Sequence, residues 1–341
     1  MILDGQSPQA IAAAAQALQR GDLLGLPTET VYGLAADAGN DAAVAKIFAT
    51  KGRPANHPLI VHVANGQGVA RFVSHVPEFA QRLIDAFWPG PLTLILPRRP
   101  EVAAVAAGGQ NSVGLRCPSH PVAHAVLERA QDLGVLGVAA PSANLFGRVS
   151  PTTAAHVASE FGDKLLILDG GPCDVGIEST IVDCTRAVPV LLRPGVLTPQ
   201  LLSDACGVTV IAPQVPDADA PRASGTLASH YAPTAQVRLM SATELQQALD
   251  TFAPPAPAMD KEAATVAVWS HFALRMPDHS ANTFVHKTMP TSPDACAQQL
   301  FAQLRDFDAQ GVSQIWVQAP PQTPDWDGVR DRLTRAATPT R

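Results

Sequence analysis

Aromatic side chains are scarce in this chain: 11 Phe, 4 Trp and 2 Tyr, or 5% of 341 residues. Nonspecific single-strand nucleic-acid grooves interleave aromatics with Lys and Arg, and this composition does not supply that pattern. Positive charge is also in deficit, 24 Lys and Arg against 30 Asp and Glu, for a net charge of -6. Broad adhesion to nucleic acid rests on neutralising phosphates with cations, so it is not expected, while a local basic patch stays open. No apolar run approaches the roughly 18 residues that a membrane span needs. The stretch 11–18 is short, Ala-rich and interrupted by Gln16, and the N-terminus lacks the basic start and apolar core of a signal peptide. A cytoplasmic protein without membrane contact is the expectation.

Further absences narrow the chemistry. The five cysteines, Cys117, Cys173, Cys184, Cys206 and Cys296, are scattered, odd in number and free of C-x-x-C spacing, so reduced and mostly buried thiols are expected. There is no G-x-x-x-x-G-K-[ST] loop, no G-x-G-x-x-G fingerprint and no evident internal repeat. No nucleophile and base stand at a recognisable spacing, and no His/Asp/Glu cluster has metal-ligand spacing, so no metal site is expected. His120 and His124, at i and i+4 without a partner acid, read as an exposed helical pair. Such a chain is suited to catalysis by positioning and charge neutralisation, not by covalent attack.

What is present alternates between helical and strand patterns. Residues 8–20 are Ala/Gln/Leu-rich and stop at Gly21, and 22–27 form a short apolar strand. A helix over 41–51 stops at Gly52, strands follow at 57–63, 93–96 and 112–116, and the apolar run 135–140 delivers Ser142 and Asn144 at its end. The fold class is α/β, a twisted mixed sheet with flanking helices. From about 213 to 228 the composition turns to Pro, Asp, Ala, Ser and Gly, as in a linker, and a second α/β set follows. The expected domains are 1–212, a linker arm 213–234, and a smaller Rossmann-like three-layer α/β domain at 235–341.

The densest polar pattern is Pro27-Thr28-Glu29-Thr30-Val31-Tyr32-Gly33-Leu34, then Lys51-Gly52-Arg53-Pro54, then Pro58-Leu59-Ile60-Val61-His62. Hydroxyls, a carboxylate, two cations and a histidine at the ends of apolar runs suit a phosphorylated or carboxylated ligand. Lys51 and Arg53 fit phosphate, and they equally fit cations favoured at a helix C-terminus. Arg116, at a strand end, is either a bidentate carboxylate partner or half of a surface ion pair. His62 could be a ligand or a satisfied core residue. Ser142 and Ser150 could bind a ligand or serve turns and caps.

Further along stand Pro89-Gly90-Pro91-Leu92-Thr93, Pro141-Ser142-Ala143-Asn144, Glu178-Ser179-Thr180, Arg193-Pro194-Gly195 and His230-Tyr231-Ala232-Pro233. In this order the motifs resemble the threonylcarbamoyl-AMP synthase family, the YrdC-like enzymes, in its long two-domain form. The likeness is strong over about 8–235 and only one of layout beyond.

The resemblance implies L-threonine, bicarbonate and ATP as substrates, threonylcarbamoyl-AMP and pyrophosphate as products, and Mg2+ accompanying ATP. It implies that Thr30, His62, Arg116, Ala140 and Ser179 meet threonine, and that Arg53, His57, Ser112, Ser142, Ser150, Arg193 and Tyr231 meet ATP. Lys51 and Arg53 would carry the charge neutralisation of catalysis. The product would pass to separate tRNA threonylcarbamoyl-transfer proteins, with direct contact to tRNA left open. The rival reading is a non-catalytic double-stranded RNA or tRNA-binding module. A second, a carbamoyltransferase of the hydrogenase-maturation type, lacks its zinc-finger and acylphosphatase segments here.

Overall fold

The structure, a computed structural model, describes residues 1–213, 220–227, 230–252, 266–271, 275 and 284–338. Of the expected linker arm, 214–219 and 228–229 lie outside the described residues. The chain divides into two compact units, Met1–Phe146 with Ser150–Thr226, and Gly147–Val149 with Leu227–Arg341.

The first unit is built on a mixed sheet. Its strands in chain order are β1 (Ile2–Asp4), β2 (Leu24–Leu26), β3 (Gly33–Asp37), β4 (Ile60–His62), β5 (Leu92–Pro97), β6 (Ser112–Arg116), β7 (Val138–Ala139), β8 (Leu166–Asp169), β9 (Thr180–Asp183) and β10 (Val190–Arg193). Among the described residues they lie side by side as β1-β8-β2-β3-β7-β4-β6-β5-β9-β10. Register places the functional side chains. β4 and β6 run parallel with His62 opposite Arg116 and Ile60 opposite Gly114, and Ile95 of β5 faces Gly114 across an antiparallel pair. Side chains alternate between faces along a strand, so Ser112, Gly114 and Arg116 share one face with Ile60, His62, Thr93 and Ile95. The intervening Val61, Leu94, Val113, Leu115 and Val182 point the other way into the main apolar core with Phe72, Leu83 and Ile47.

Helix ends follow from local chemistry. Ser7 caps the Pro8–Gln19 helix by accepting from Ala10 N, with Pro8 in the first turn. Asn40 caps Asp41–Lys51 by accepting from Ala42 N and Ala43 N. That helix stops where Gly52 turns left-handed at φ 62°, a conformation glycine takes without steric cost, leaving Lys51 and Arg53 on either side of the turn.

The exposed pairing expected of His120 and His124 is not what forms. His120 is buried, caps the Pro121–Asp132 helix through Nδ1 with Val122 N at 3.2 Å, and has Nε2 3.2 Å from Gly170 O. The Ser-His-Pro sequence made the imidazole a cap, and a cap with a ring must lie against its neighbours. His124 pairs instead with Glu128 at 3.4 Å.

The second unit holds a parallel sheet in which β11 (Gln236–Met240), β12 (Val266–Ser270), β13 (Phe284–Thr288) and β14 (Gln314–Gln318) are ordered β11-β14-β12-β13 among the described residues. Helices at Ala242–Asp250, Pro293–Ala309 and Asp327–Ala337 accompany it, the first opened by a reciprocal capping box between Ser241 and Glu244. Met240, Leu245, Leu249, Val266, Val268 and Trp316 form part of its core. No helix among the described residues is long and apolar enough to cross a membrane. All five cysteines are free and buried. Burial pushes the Cys117 thiol up to about 11 and the Cys296 thiol up to about 12, which keeps both protonated and inert at neutral pH.

Candidate functional site

The turn before β3 is folded by its own first threonine. Thr28 Oγ1 accepts from the backbone N of Thr30 and of Val31, each at 3.3 Å, and donates to Val31 O at 2.6 Å. This holds Glu29 and Thr30 against the end of β6. There Arg116 Nε donates to Gly90 O at 3.2 Å, Nη1 donates to Thr30 Oγ1 at 2.7 Å, and Nη2 stands 2.7 Å from Glu29 Oε2. The Arg116 and Glu29 side chains are only 4% and 6% exposed. The contact is one of charge at close range. Nη2 and both Glu29 oxygens still lack a well-directed hydrogen bond. Burial works to raise the Glu29 pKa, but the Arg116 charge beside it, helped by the backbone of Glu29 and Ser119, outweighs it and holds the carboxyl below its usual range.

His62 lies opposite Arg116, buried, and its pKa is driven down to about 3, first by burial and then by the Arg116 charge. It is a neutral imidazole whose Nδ1 has no directed partner. Ala140, past the end of β7, is tied to β4 by its N donating to Ile60 O at 3.0 Å. Ser179 closes this end, its Oγ 2.7 Å from Thr93 Oγ1. Arg193 donates to Ser179 O through Nε at 3.1 Å and Nη2 at 2.8 Å. Thr30, His62, Arg116, Ala140 and Ser179 therefore line neighbouring strand ends.

A second group of cations sits on the same sheet face. Arg53 Nη2 donates to Pro58 O at 2.9 Å and to Ser224 Oγ at 3.3 Å, and its guanidinium lies 5.6 Å from the Phe146 ring centroid. His57 meets that ring edge-on at 5.5 Å, and its pKa is lowered by burial and then by Arg53 and Arg222. Arg193 Nη1 donates to Ser224 O at 3.0 Å. Ser224 thus bridges Arg53 and Arg193, while its own Oγ donates to Pro58 O at 2.7 Å. Gln110, two residues before Ser112, exchanges hydrogen bonds with the backbone of Arg222. The result is a narrow cleft with Ile60, Ile95, Ser112, Gly114 and Ile181 beneath and Arg222, Ala223 and Ser224 above.

Lys51 is turned inward and buried, its Nζ donating to Ser142 O at 2.6 Å and to Asn144 O. Burial, then the Arg53 charge, pulls its pKa well down, with Glu160 opposing. Its direct partners here are the carbonyls of the loop that presents Ser142. Ser150 Oγ donates to Glu178 Oε1 at 2.5 Å. Tyr231 belongs to the other unit, where it takes φ 61°, packs 5.3 Å from the Phe301 ring and lies 5.5 Å from the Arg332 guanidinium.

Three participants escaped the sequence reading as site residues: Glu29 as the partner of Arg116, Thr93 beside Ser179, and Ser224 between the arginines. Glu29 stands inside the densest polar motif, so its signal was present. Ser224 lies in linker composition, where nothing local marks it.

Two family models match consecutive stretches, one described as "Telomere recombination" over residues 16–195 and one as "Threonylcarbamoyl-AMP synthase, C-terminal domain" over 197–338. A threonylcarbamoyl-AMP synthase of Bacillus subtilis is 35% identical over 340 residues, covering 98% of this chain and 94% of that protein. The chain belongs to the threonylcarbamoyl-AMP synthase family. A synthase of Pyrococcus abyssi is 44% identical over 230 residues, 67% of this chain and 66% of that protein. The crystal structure of P. abyssi Sua5 complexed with L-threonine superposes with a TM-score of 0.86 at 34% identity, covering 99% of this chain and 97% of that one. The activity of this chain is accordingly threonylcarbamoyl-AMP synthesis, an ATP-using nucleotidyl transfer within tRNA threonylcarbamoyladenosine formation. The rival reading as a non-catalytic RNA-binding module falls with that membership.

Proposed function

We propose that this synthase binds L-threonine at the Arg116 end of the sheet face and ATP at the Arg53 and Arg193 end. The threonine amine and bicarbonate give a carbamate and water. A carbamate oxygen then attacks the α-phosphate of ATP, pyrophosphate leaves, and threonylcarbamoyl-AMP is formed. The observation that carries this assignment is the buried Arg116, with Nη2 not directed into any hydrogen bond, sharing one face with two further buried arginines. A planar guanidinium suits a carboxylate, and separated cations suit a triphosphate.

In this reading Thr30, His62, Ala140 and Ser179 surround threonine, and His57, Ser112, Ser142 and Ser150 contact ATP beside Arg53 and Arg193. Carbamate and phosphate are both anionic, so Arg53 offsets their repulsion, while Lys51, held on the carbonyls of Ser142 and Asn144, fixes the Ser142 loop. Mg2+, which keeps several waters and binds through phosphate oxygens, would accompany ATP. Residues 220–226 cover the floor and keep water from a labile mixed anhydride. The product goes on to separate proteins that transfer the threonylcarbamoyl group to tRNA, and the buried free thiols suit the reducing cytoplasm.

Substrate discrimination tests the assignment. Serine lacks one methyl, and an enclosing apolar pocket discriminates by about 10- to 200-fold for such a difference. Pyrophosphate release should show serine turned over with kcat/KM lower by that order. Equal kcat/KM for serine and threonine would contradict an enclosed threonine side chain.

A further inference from the structure

A buried arginine serving a plain anion is weakened by a fixed carboxylate beside it, because the incoming charge meets a field already half cancelled. Arg116 nevertheless has Glu29 at 2.7 Å, both almost wholly buried. Nor does the pair have the geometry of a closed structural salt bridge. Nε and Nη1 are fixed by Gly90 O and Thr30 Oγ1, whereas Nη2 faces Glu29 without a well-directed hydrogen bond, and the Glu29 carboxylate, which the backbone of Ser119 also reaches, keeps lone pairs to spare. A positive and a negative group lie side by side, in a place with little water, each able to accept one more partner. The ligand complementary to that arrangement carries a carboxylate and an ammonium on one carbon.

We propose that Glu29 sets the charge specificity of the site, making the Arg116–Glu29 pair a receptor for the zwitterion of an α-amino acid and turning away phosphates and simple carboxylates. This rests on the reading that an amino acid binds at Arg116. The carboxylate faces the guanidinium and the ammonium lies in the field of Glu29, with net charge near zero for the filled subsite. The discrimination serves a sheet face on which ATP is proposed to bind as well. Arg53 and Arg193, further along that face, donate to carbonyl and hydroxyl oxygens, and a triphosphate placed there meets cations held apart from Arg116.

Binding without turnover tests it. The full chain and its Glu29→Gln variant are titrated calorimetrically with L-threonine and with 3-hydroxybutanoate, which keeps the carboxylate and hydroxyl but lacks the ammonium. The wild type should prefer threonine strongly. Glu29→Gln should shrink that preference by about 10- to 100-fold, the scale of one charge-assisted contact, with 3-hydroxybutanoate bound as well as before or better. Glu29→Asp should retain the preference. If Glu29 only props Arg116, both ligands weaken together and an unchanged ratio overturns the proposal while leaving the amino-acid reading intact. A wild type that binds neither ligand overturns both. Should Glu29→Gln lose its cooperative melt, the wild-type ratio and Glu29→Asp decide, and a wild-type ratio near one overturns the proposal.

Discussion

His62 shows how a buried site fixes protonation before any substrate arrives, and Arg116 opposite it shows how one fixes geometry. Replacing Arg116 by Lys exchanges a planar fork for a point charge, and the account expects KM for threonine to rise by about 10- to 100-fold with KM for ATP little changed. Steady-state kinetics with each substrate varied checks this, and equal losses would remove Arg116 from the threonine end. His62 makes a prediction about stability. An unfolded histidine takes a proton near pH 6.5, whereas the folded His62 resists it down to about 3. Between those values the unfolded state binds the extra proton, so stability falls as pH is lowered through that window. On going from pH 7 to 4.5 the wild type should lose about 2 kcal/mol more than His62→Asn, as read from urea midpoints at the two pH values. Equal losses would mean that His62 is protonated in the folded state. Neither environment was legible beforehand. A strand-end arginine and a histidine in an apolar run announce themselves, but their neighbours Glu29 and Gly90 come from different parts of the chain.

At the scale of elements, the segment 220–226 is the piece whose composition least suggests its place. Its sequence reads as linker, yet Arg222 N donates to Gln110 Oε1 at 2.8 Å, Gln110 Nε2 to Arg222 O at 3.2 Å, and Arg222 Nη2 to Gly108 O at 2.9 Å. Removing these ties in a Gln110→Ala/Arg222→Ala variant should leave the melting temperature nearly unchanged, since the atoms lost are exposed. Accumulation of threonylcarbamoyl-AMP should fall several-fold as water reaches the anhydride. Chromatography of the product beside a melting curve measures both, and an undiminished yield would exclude a covering role. Regular elements were far easier to read. The helix over Asp41–Lys51 is marked by Asn40 and Gly52, and β6 by its apolar alternation, because caps and periodicity are local properties. Strand order is not local. That β7 lies between β3 and β4, carrying Ala140 to the same end of the sheet as Arg116, follows from tertiary pairing that no window of sequence contains.

For the molecule as a whole, the first unit's mixed sheet gathers the arginines and hydroxyls at one set of strand ends, and the family membership spans both units. The motifs identified that family because they gather at strand ends and tight turns, where geometry limits the acceptable residues. Apart from His230-Tyr231-Ala232-Pro233 near its start, the second unit carried no such chemistry in its sequence and was legible only as an α/β layout. The central claim is that this fold joins three substrates on one face. Pyrophosphate release is therefore the measurement to make, with L-threonine, bicarbonate and ATP together and with threonine or bicarbonate omitted in turn. Release should require both, with threonylcarbamoyl-AMP formed in equal amount. Pyrophosphate released at the full rate without threonine, or without bicarbonate, would contradict the account.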